Sequence, residues 1–185
     1  MPTLAEIEAT ATACTACQLA ATRTTVVFSR GRPAARLMFV GEAPGRDEDL
    51  EGAPFVGRSG KLLDRLVEEE MGLHRDDYYV ANVLKCRPPN NRDPLPGEIE
   101  ACAHFLDDQI ALVGPEVIVT LGNFATRYLL GTSEGITRLR GRSHHFRDGI
   151  VVVPTFHPSA ALRSGGAVVA DMRADLVRAK RALSS

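Results

Sequence analysis

The sequence has no apolar run that approaches the ~20 residues needed to cross a membrane, and no basic start followed by an apolar core, as a secretory signal would have. It also has no internal repeat and no low-complexity tract. Its 185 residues suit a single domain over 1–185. We therefore expect a cytoplasmic protein that makes no use of a membrane.

An excess of positive charge is missing too: the formal net charge is −1. This balance does not indicate a nucleic-acid binder, but it does not exclude one, because binding requires only a local basic face. Arginines concentrate in residues 138–147. Each of them alone fits a solvated loop. As a group they form a candidate strip for phosphate contacts, with Arg138, Arg140 and Arg142 as its members.

Cysteine is scarce, and the four that exist have a pattern: C-x2-C, a long gap, then C-x15-C. Two disulfides are not expected in a reducing compartment. Four thiolates can hold zinc or an iron–sulfur cluster. The alternative is two buried structural cysteines plus a chance CxxC pair. The residues concerned are Cys14, Cys17, Cys86 and Cys102.

Four short runs are rich in β-forming residues, and each is followed by turn residues; they span 36–40, 78–83, 116–121 and 150–154. Their nearly continuous apolar content is typical of strands buried on both faces of a parallel sheet. Helical stripes lie between and after them, at 62–67, 99–110, 123–130 and 168–183. The pattern predicts an α/β fold, a three-layer α/β/α sandwich with a central four-stranded parallel sheet. Residues up to about 33 are expected to pack as a small N-terminal extension.

Polar clusters follow directly after each predicted strand. They are GEAPG at 41–45, Asn82, the pair at 122–123, and TFHPS at 155–159. In open α/β sheets the ligand crevice lies at the carboxyl ends of the strands. We therefore expect these clusters to converge on one site.

Each residue in these clusters also has an ordinary structural interpretation. Glu42 sits in a tight Gly- and Pro-rich turn, and Asn82 suits a turn or a cap. Phe55 fits a core position as well as a platform for base stacking. His157 fits a satisfied buried histidine as well as a donor to a developing anion. The combination is more specific than any one of them.

Taken together, the segments GEAPG, PFVGRSGKLLD, NVLKCRPPNNRDP and HPSAAL resemble the family 4 uracil-DNA glycosylases, and the resemblance runs from about Cys14 to the last helix. It implies an enzyme of DNA repair with the uracil-DNA glycosylase-like fold. Such an enzyme flips uracil out of DNA and hydrolyses its N-glycosidic bond, leaving an abasic site. The implied partner is single- or double-stranded uracil-containing DNA, bound by a monomer.

The resemblance also implies roles for matching positions. In the uracil pocket, Phe55 would stack on the base, Asn82 would read its edge, and Glu42 and His157 would be catalytic. The turn residues lining the pocket would be Gly41, Glu42 and Ala43, and the wedge into the duplex would be Leu162 or Arg163. A [4Fe–4S] cluster would be ligated by Cys14, Cys17, Cys86 and Cys102, which makes residues 1–33 a cluster-binding extension.

Two alternatives remain open. Some relatives lack the active carboxylate, or trap the abasic sugar covalently through a histidine in an inserted basic loop; residues 82–94 contain no histidine and no such insert. A non-catalytic nucleic-acid-binding module stabilised by zinc or a cluster is the second alternative. It would leave Glu42, Asn82 and His157 unexplained.

Overall fold

The structure is a computed structural model that describes residues 1–185, and it is built around a six-stranded sheet. The strands are β1 (Arg30–Gly31), β2 (Leu37–Gly41), β3 (Tyr79–Asn82), β4 (Val117–Leu121), β5 (His144–His145) and β6 (Val151–Thr155). Their order across the sheet is β1-β3-β2-β4-β6-β5. The four central strands run parallel and are the four that the sequence predicts.

The predicted four-stranded sheet is thus the centre of a larger, mixed sheet. The two strands that the sequence analysis missed, β1 and β5, pair antiparallel at the two edges. Each has only two residues, and none of the four is buried. Hydrogen bonding to a neighbouring strand, and not an apolar pattern, makes them strands, so their sequence carries no signal.

Nine helices surround the sheet. They are α1 (Leu4–Thr12), α2 (Arg46–Glu51), α3 (Arg58–Met71), α4 (Pro96–Cys102), α5 (His104–Val113), α6 (Asn123–Leu130), α7 (Ile136–Leu139), α8 (Pro158–Ser164) and α9 (Gly166–Leu183). The helical stripe predicted over 99–110 belongs to two helices, because the helix is interrupted at Ala103. None of the nine combines the length and the hydropathy that a membrane span requires.

Helices cover both faces of the sheet, which gives the predicted three layers. On one face, α3 and α9 contribute Leu66 and Leu176 to a core of 18 buried residues that includes Phe39 of β2. On the other face, α5 and α6 pack on the sheet, and Leu106 shares a core of 15 residues with Met38. Successive β2 residues therefore point to opposite layers, as strand geometry requires.

A third, smaller core joins the N-terminal segment to the rest. It contains Ile7 and Ala11 of α1, Leu19, and residues of α5 such as Phe105. All four cysteines lie in this core or pack against it. The first part of the chain is thus held next to α4 and α5.

The carboxyl end of β6 is fixed by a buried charge. Asp175 of α9 is 1% exposed and accepts hydrogen bonds from Thr155 Oγ1 at 2.8 Å and Arg140 Nε at 2.9 Å. Because an unpaired buried carboxylate is strongly unfavourable, this pairing ties α9 to the last residue of β6. Two residues later comes His157.

Candidate active site

The residues that follow the four parallel strands converge on one cavity of about 770 Å³. It is lined by Glu42 after β2, Asn82 at the end of β3, Gly122 after β4 and His157 after β6, with Phe55 from the loop between α2 and α3. The strand order changes direction between β2 and β4, which is the usual place for a ligand crevice in an open α/β sheet. The structure thus brings together the polar clusters that sequence analysis placed in one site.

The turn after β2 is held by backbone pairing that continues beyond the strands. Val83 N donates to Gly41 O, and Leu84 N donates to Glu42 O at 3.0 Å. Gly41 itself lies beneath the cavity, where a Cβ would stand 2.4 Å from Asn82 Oδ1 and 2.6 Å from a Phe55 ring carbon. Any larger residue at 41 would displace both side chains.

Asn82 carries an unsatisfied acceptor. The residue is 2% exposed, and its Oδ1 has no hydrogen-bond partner in the protein. Leaving a buried polar atom unpaired costs ~1–3 kcal/mol. A side chain held at that cost in the wall of a cavity is suited to a ligand that supplies the missing donor.

Phe55 lines the same cavity and has an unusual backbone conformation. Its φ is +55°, in the left-handed region that aromatic residues rarely adopt. The ring is buried, and its centroid lies 5.7 Å from that of the His157 ring. The two rings thus form adjacent parts of one wall.

His157 has a defined tautomer. Its Nδ1 accepts a hydrogen bond from Ser159 N at 3.1 Å and lies 2.8 Å from Ser159 Oγ. The proton of the neutral ring therefore resides on Nε2. Burial, assisted by the positive charge of Arg163, lowers the pKa of His157 to about 4. At neutral pH the ring is an uncharged donor.

Glu42 is shifted in the opposite sense. Burial raises the pKa of this half-buried carboxyl to about 7, and the nearby negative charge of Asp93 adds to the shift. The carboxylate therefore forms only near neutral pH. Asp93, which sequence analysis did not single out, lines the same cavity.

Cations at the cavity were also missed. Arg46 and Arg58 line it, and each follows a glycine that starts a helix. The repeated Gly–Arg pair was the only signal for them in the sequence. Leu162 and Arg163 lie on α8 as exposed residues, and Arg163 also lines the cavity.

The arginine strip expected from the sequence is only partly available. Arg138 and Arg142 are exposed. Arg140 differs, because its guanidinium pairs with Asp175 at 2.9 Å and Asp171 at 3.5 Å and is 18% exposed. Its ion pair with the buried Asp175 gives Arg140 a structural role, so Arg138 and Arg142 are the more accessible candidates for DNA contacts.

The four cysteines are free thiols that line a second, small pocket. Three of the sulfurs receive hydrogen bonds: Cys102 Sγ from Lys85 N at 3.2 Å, and Cys14 and Cys86 Sγ each at 3.5 Å, from Ala16 N and Arg23 Nη1. No three His, Cys, Asp or Glu side chains are grouped so as to hold a single metal ion. The sulfurs surround a pocket without converging on one point.

Lys85 lies between this pocket and the cavity. It is 1% exposed, and its Nζ donates to Asn82 O at 2.7 Å and to Gln109 Oε1 at 2.6 Å. No carboxylate lies within ion-pair distance of it. A buried ammonium without an opposite charge is strongly unfavourable.

Comparison with known proteins identifies relatives. The family model for the uracil DNA glycosylase superfamily matches residues 28–181. The chain is similar to a type-4 uracil-DNA glycosylase of Thermotoga maritima, with 50% identity over 152 residues, covering 82% of this chain and 79% of the relative. A type-4 uracil-DNA glycosylase of Sulfurisphaera tokodaii is 47% identical over 169 residues, or 88% and 77%. A type-5 uracil-DNA glycosylase of Thermus thermophilus is more distant, at 35% over 134 residues, or 64% and 58%.

The raised pKa of Glu42 predicts a pH-dependent cost in stability. The carboxyl is easier to ionise in the unfolded chain, so the wild-type protein loses stability as the pH rises from the ordinary carboxyl pKa through about 7. Glu42→Gln should lose less stability over that interval. Thermal unfolding of both proteins at about pH 5 and about pH 8 measures the difference. Glu100→Gln, at an exposed position of α4, is the control and should track the wild type. Parallel pH curves for Glu42→Gln and wild type would contradict the burial argument.

Proposed function

The chain belongs to the uracil DNA glycosylase superfamily, and on that premise we propose that its cavity binds uracil flipped out of DNA and hydrolyses the N-glycosidic bond, leaving an abasic site. The observation that carries this proposal is the unpaired, buried Oδ1 of Asn82 in a wall shared with Phe55 and His157. An enzyme that acts on a base must extrude it from the stack at a cost of a few kcal/mol. A pocket with an aromatic face and an unpaired acceptor suits such a base.

Asn82 supplies discrimination between the pyrimidines. A carboxamide accepts from uracil N3–H through its oxygen and donates to O4 through its nitrogen, and cytosine reverses that pattern. Binding cytosine would leave buried groups unpaired, which is the strongest form of selectivity that a hydrogen-bonding site provides. The ring of Phe55 adds stacking that any pyrimidine accepts.

His157 and Glu42 supply the chemistry. Breaking the glycosidic bond places negative charge on uracil O2 and positive charge on the sugar. The Nε2–H of neutral His157 stabilises the first charge as a preorganised donor. The carboxylate of Glu42 stabilises the second or orients the attacking water, and it does so above its pKa of about 7.

DNA contacts are assigned to helix α8 and to the exposed arginines of residues 138–142. Leu162 is 41% exposed on α8, next to Arg163, and one of these two side chains is the wedge that separates the flipped base from its neighbours. Arg138 and Arg142 contact phosphates, which position the duplex without reading its sequence.

We propose that Cys14, Cys17, Cys86 and Cys102 ligate a [4Fe–4S] cluster, and their surroundings fit it. The four cysteines line one common pocket, as the ligands of a single cluster must. The N–H donors directed at three of the sulfurs suit an anionic group.

When bound, the cluster supplies iron–thiolate bonds that cross-link the chain, and we assign it a structural role. Cys86 and Cys102 bound the loop that includes Arg92 and Asp93 of the cavity wall. Arg92 is itself held by Glu98 at 2.8 Å. The ligands would thus fix one side of the cavity to the N-terminal extension.

The proposed activity predicts cleavage of DNA that contains one uracil, seen as strand breakage on a gel after alkali treatment. Asn82→Ala should lower the rate by ~100-fold or more, because it removes a preorganised group, while the unfolding free energy stays within about 1 kcal/mol of the wild type. Asn82→Asp should acquire some activity on cytosine, because one oxygen can accept from the exocyclic amine. Wild-type turnover by Asn82→Ala would contradict this role. A covalent DNA adduct on a denaturing gel would identify the trapping alternative instead.

The cysteine arrangement predicts a brown protein with about four irons per chain after anaerobic purification. Iron analysis and the visible absorbance spectrum measure this directly. Stoichiometric zinc with no iron in such a preparation would overturn the cluster assignment and leave the glycosylase proposal untouched.

The phosphate strip predicts a change in salt dependence. Neutralising Arg138 and Arg142 together should weaken DNA binding for all sequences alike and reduce the log–log salt slope by about one unit per lost contact. Bond cleavage at saturating DNA should be unchanged, since these residues do not touch the base. Arg75→Ala is the control. Arg75 precedes β3 and so lies at the amino ends of the parallel strands, whereas the cavity lies at their carboxyl ends. An unaltered slope in the double variant would place the binding face elsewhere.

A further inference from the structure

The left-handed backbone conformation of Phe55 must be stabilised by contacts with other residues. A non-glycine residue in the left-handed region costs ~1–3 kcal/mol and persists only where its surroundings impose it. Residues 52–57 form a loop between α2 and α3 with no strand to fix it. The Phe55 ring packs against Gly41, which leaves the side of the main chain away from Gly41 for the contacts that fix it.

Arg30 provides such contacts. Its Nε donates to Pro54 O at 2.8 Å, and its Nη2 lies 3.5 Å from Phe55 O. The same Nη2 donates to Asp64 Oδ1 of α3 at 2.7 Å. The side chain is 9% exposed, and Arg30 is not among the residues that line the cavity.

The neighbours of Arg30 are arranged around the same contact. The hydroxyl of Tyr78 donates to Asp64 Oδ1 at 2.7 Å, so the carboxylate holds both Arg30 and Tyr78 in place. Gly60 passes so close to Phe55 that a Cβ there would lie 1.8 Å from Phe55 O. The carbonyl is thus enclosed by a helix on one side and a guanidinium on the other.

Stability alone does not explain a partly buried ion pair at this position. Replacing such a pair by well-packed apolar residues is often neutral or stabilising, because both charges lose their hydration. What an arginine offers is a rigid planar fork that binds several acceptors in one fixed geometry, which a lysine does not offer. Here the fork joins two consecutive carbonyls of one loop to a helix.

We propose that Arg30 is a positioning residue for uracil recognition, which clamps the Pro54 and Phe55 carbonyls to Asp64 so that the Phe55 ring is held over the cavity. This inference rests on the proposed function. Arg30 does not touch the base; it acts only through Phe55. Stacking contributes to the bound state and to the transition state alike, so its loss raises KM and leaves kcat little changed.

The test is a double-mutant cycle read out by uracil affinity. Arg30→Met should raise the inhibition constant of free uracil and the KM for uracil-containing DNA by about 10-fold, the scale of a weakened stacking contact. Phe55→Leu should do the same or more. In the Phe55→Leu background, Arg30→Met should add almost nothing, because the two residues act as one unit.

Two further variants test which contacts of Arg30 are required for uracil affinity. Tyr78→Phe removes a hydroxyl from Asp64 and leaves the contacts of Arg30 with the loop, so uracil affinity should stay near wild type. Arg30→Lys should restore only part of the affinity, since one ammonium cannot reproduce the fork. If Arg30→Met fails to fold, Asp64→Asn replaces it in the cycle, with an intermediate loss of affinity expected.

The outcomes separate this inference from the function on which it rests. Absence of uracil removal by the wild-type protein would refute the function itself. An active wild type, with Arg30→Met at wild-type uracil affinity or with additive effects in the cycle, would overturn the clamp alone. Wild-type affinity in Phe55→Leu would overturn both the stacking role and the clamp.

Discussion

Parallel pairing between β2 and its two neighbours determines where every part of the site lies. Gly41 is in register with Asn82, and the pairing continues past the strands, as Val83 N donates to Gly41 O. On the other side, β4 links β2 to β6, and Gly122 N donates to Thr155 O. A slip of one residue in β3 would turn Asn82 out of the cavity wall, since neighbouring strand residues point to opposite faces.

Within that frame, one cavity shifts two ionisable groups in opposite directions. Burial favours the neutral form of each, raising the pKa of Glu42 and lowering that of His157. A neighbour of like charge strengthens each shift, Asp93 beside Glu42 and Arg163 beside His157. Between these two values both side chains are uncharged. Above pH about 7 the cavity holds a carboxylate together with a neutral imidazole donor, a pair with separate duties.

The sequence predicted the central strands and the site because both leave strong local signals. Four runs of apolar residues predicted parallel strands buried on both faces. The turn residues after these runs indicated the carboxyl ends of the strands, where Glu42, Asn82 and His157 meet. The edge strands β1 and β5 could not be predicted, because tertiary pairing alone defines them. The ion pair of Arg140 could not be predicted for a related reason: its partner Asp175 lies 35 residues away on α9, and nothing in the local sequence indicates that contact.

The strand order has a consequence for how the protein comes into being on the ribosome. The half-sheet β1-β3-β2, with all four cysteines, lies within the first 102 residues, and β4, β6 and β5 are added on the other side of β2 later. Phe55 and Asn82 therefore belong to the part of the chain synthesised first, and His157 to the part synthesised last. The core beneath β2 and α3 is shared with α9, so this first part of the sheet lacks some of its packing until the last helix has been made. A nascent chain that ends before His157 therefore has only part of the cavity wall.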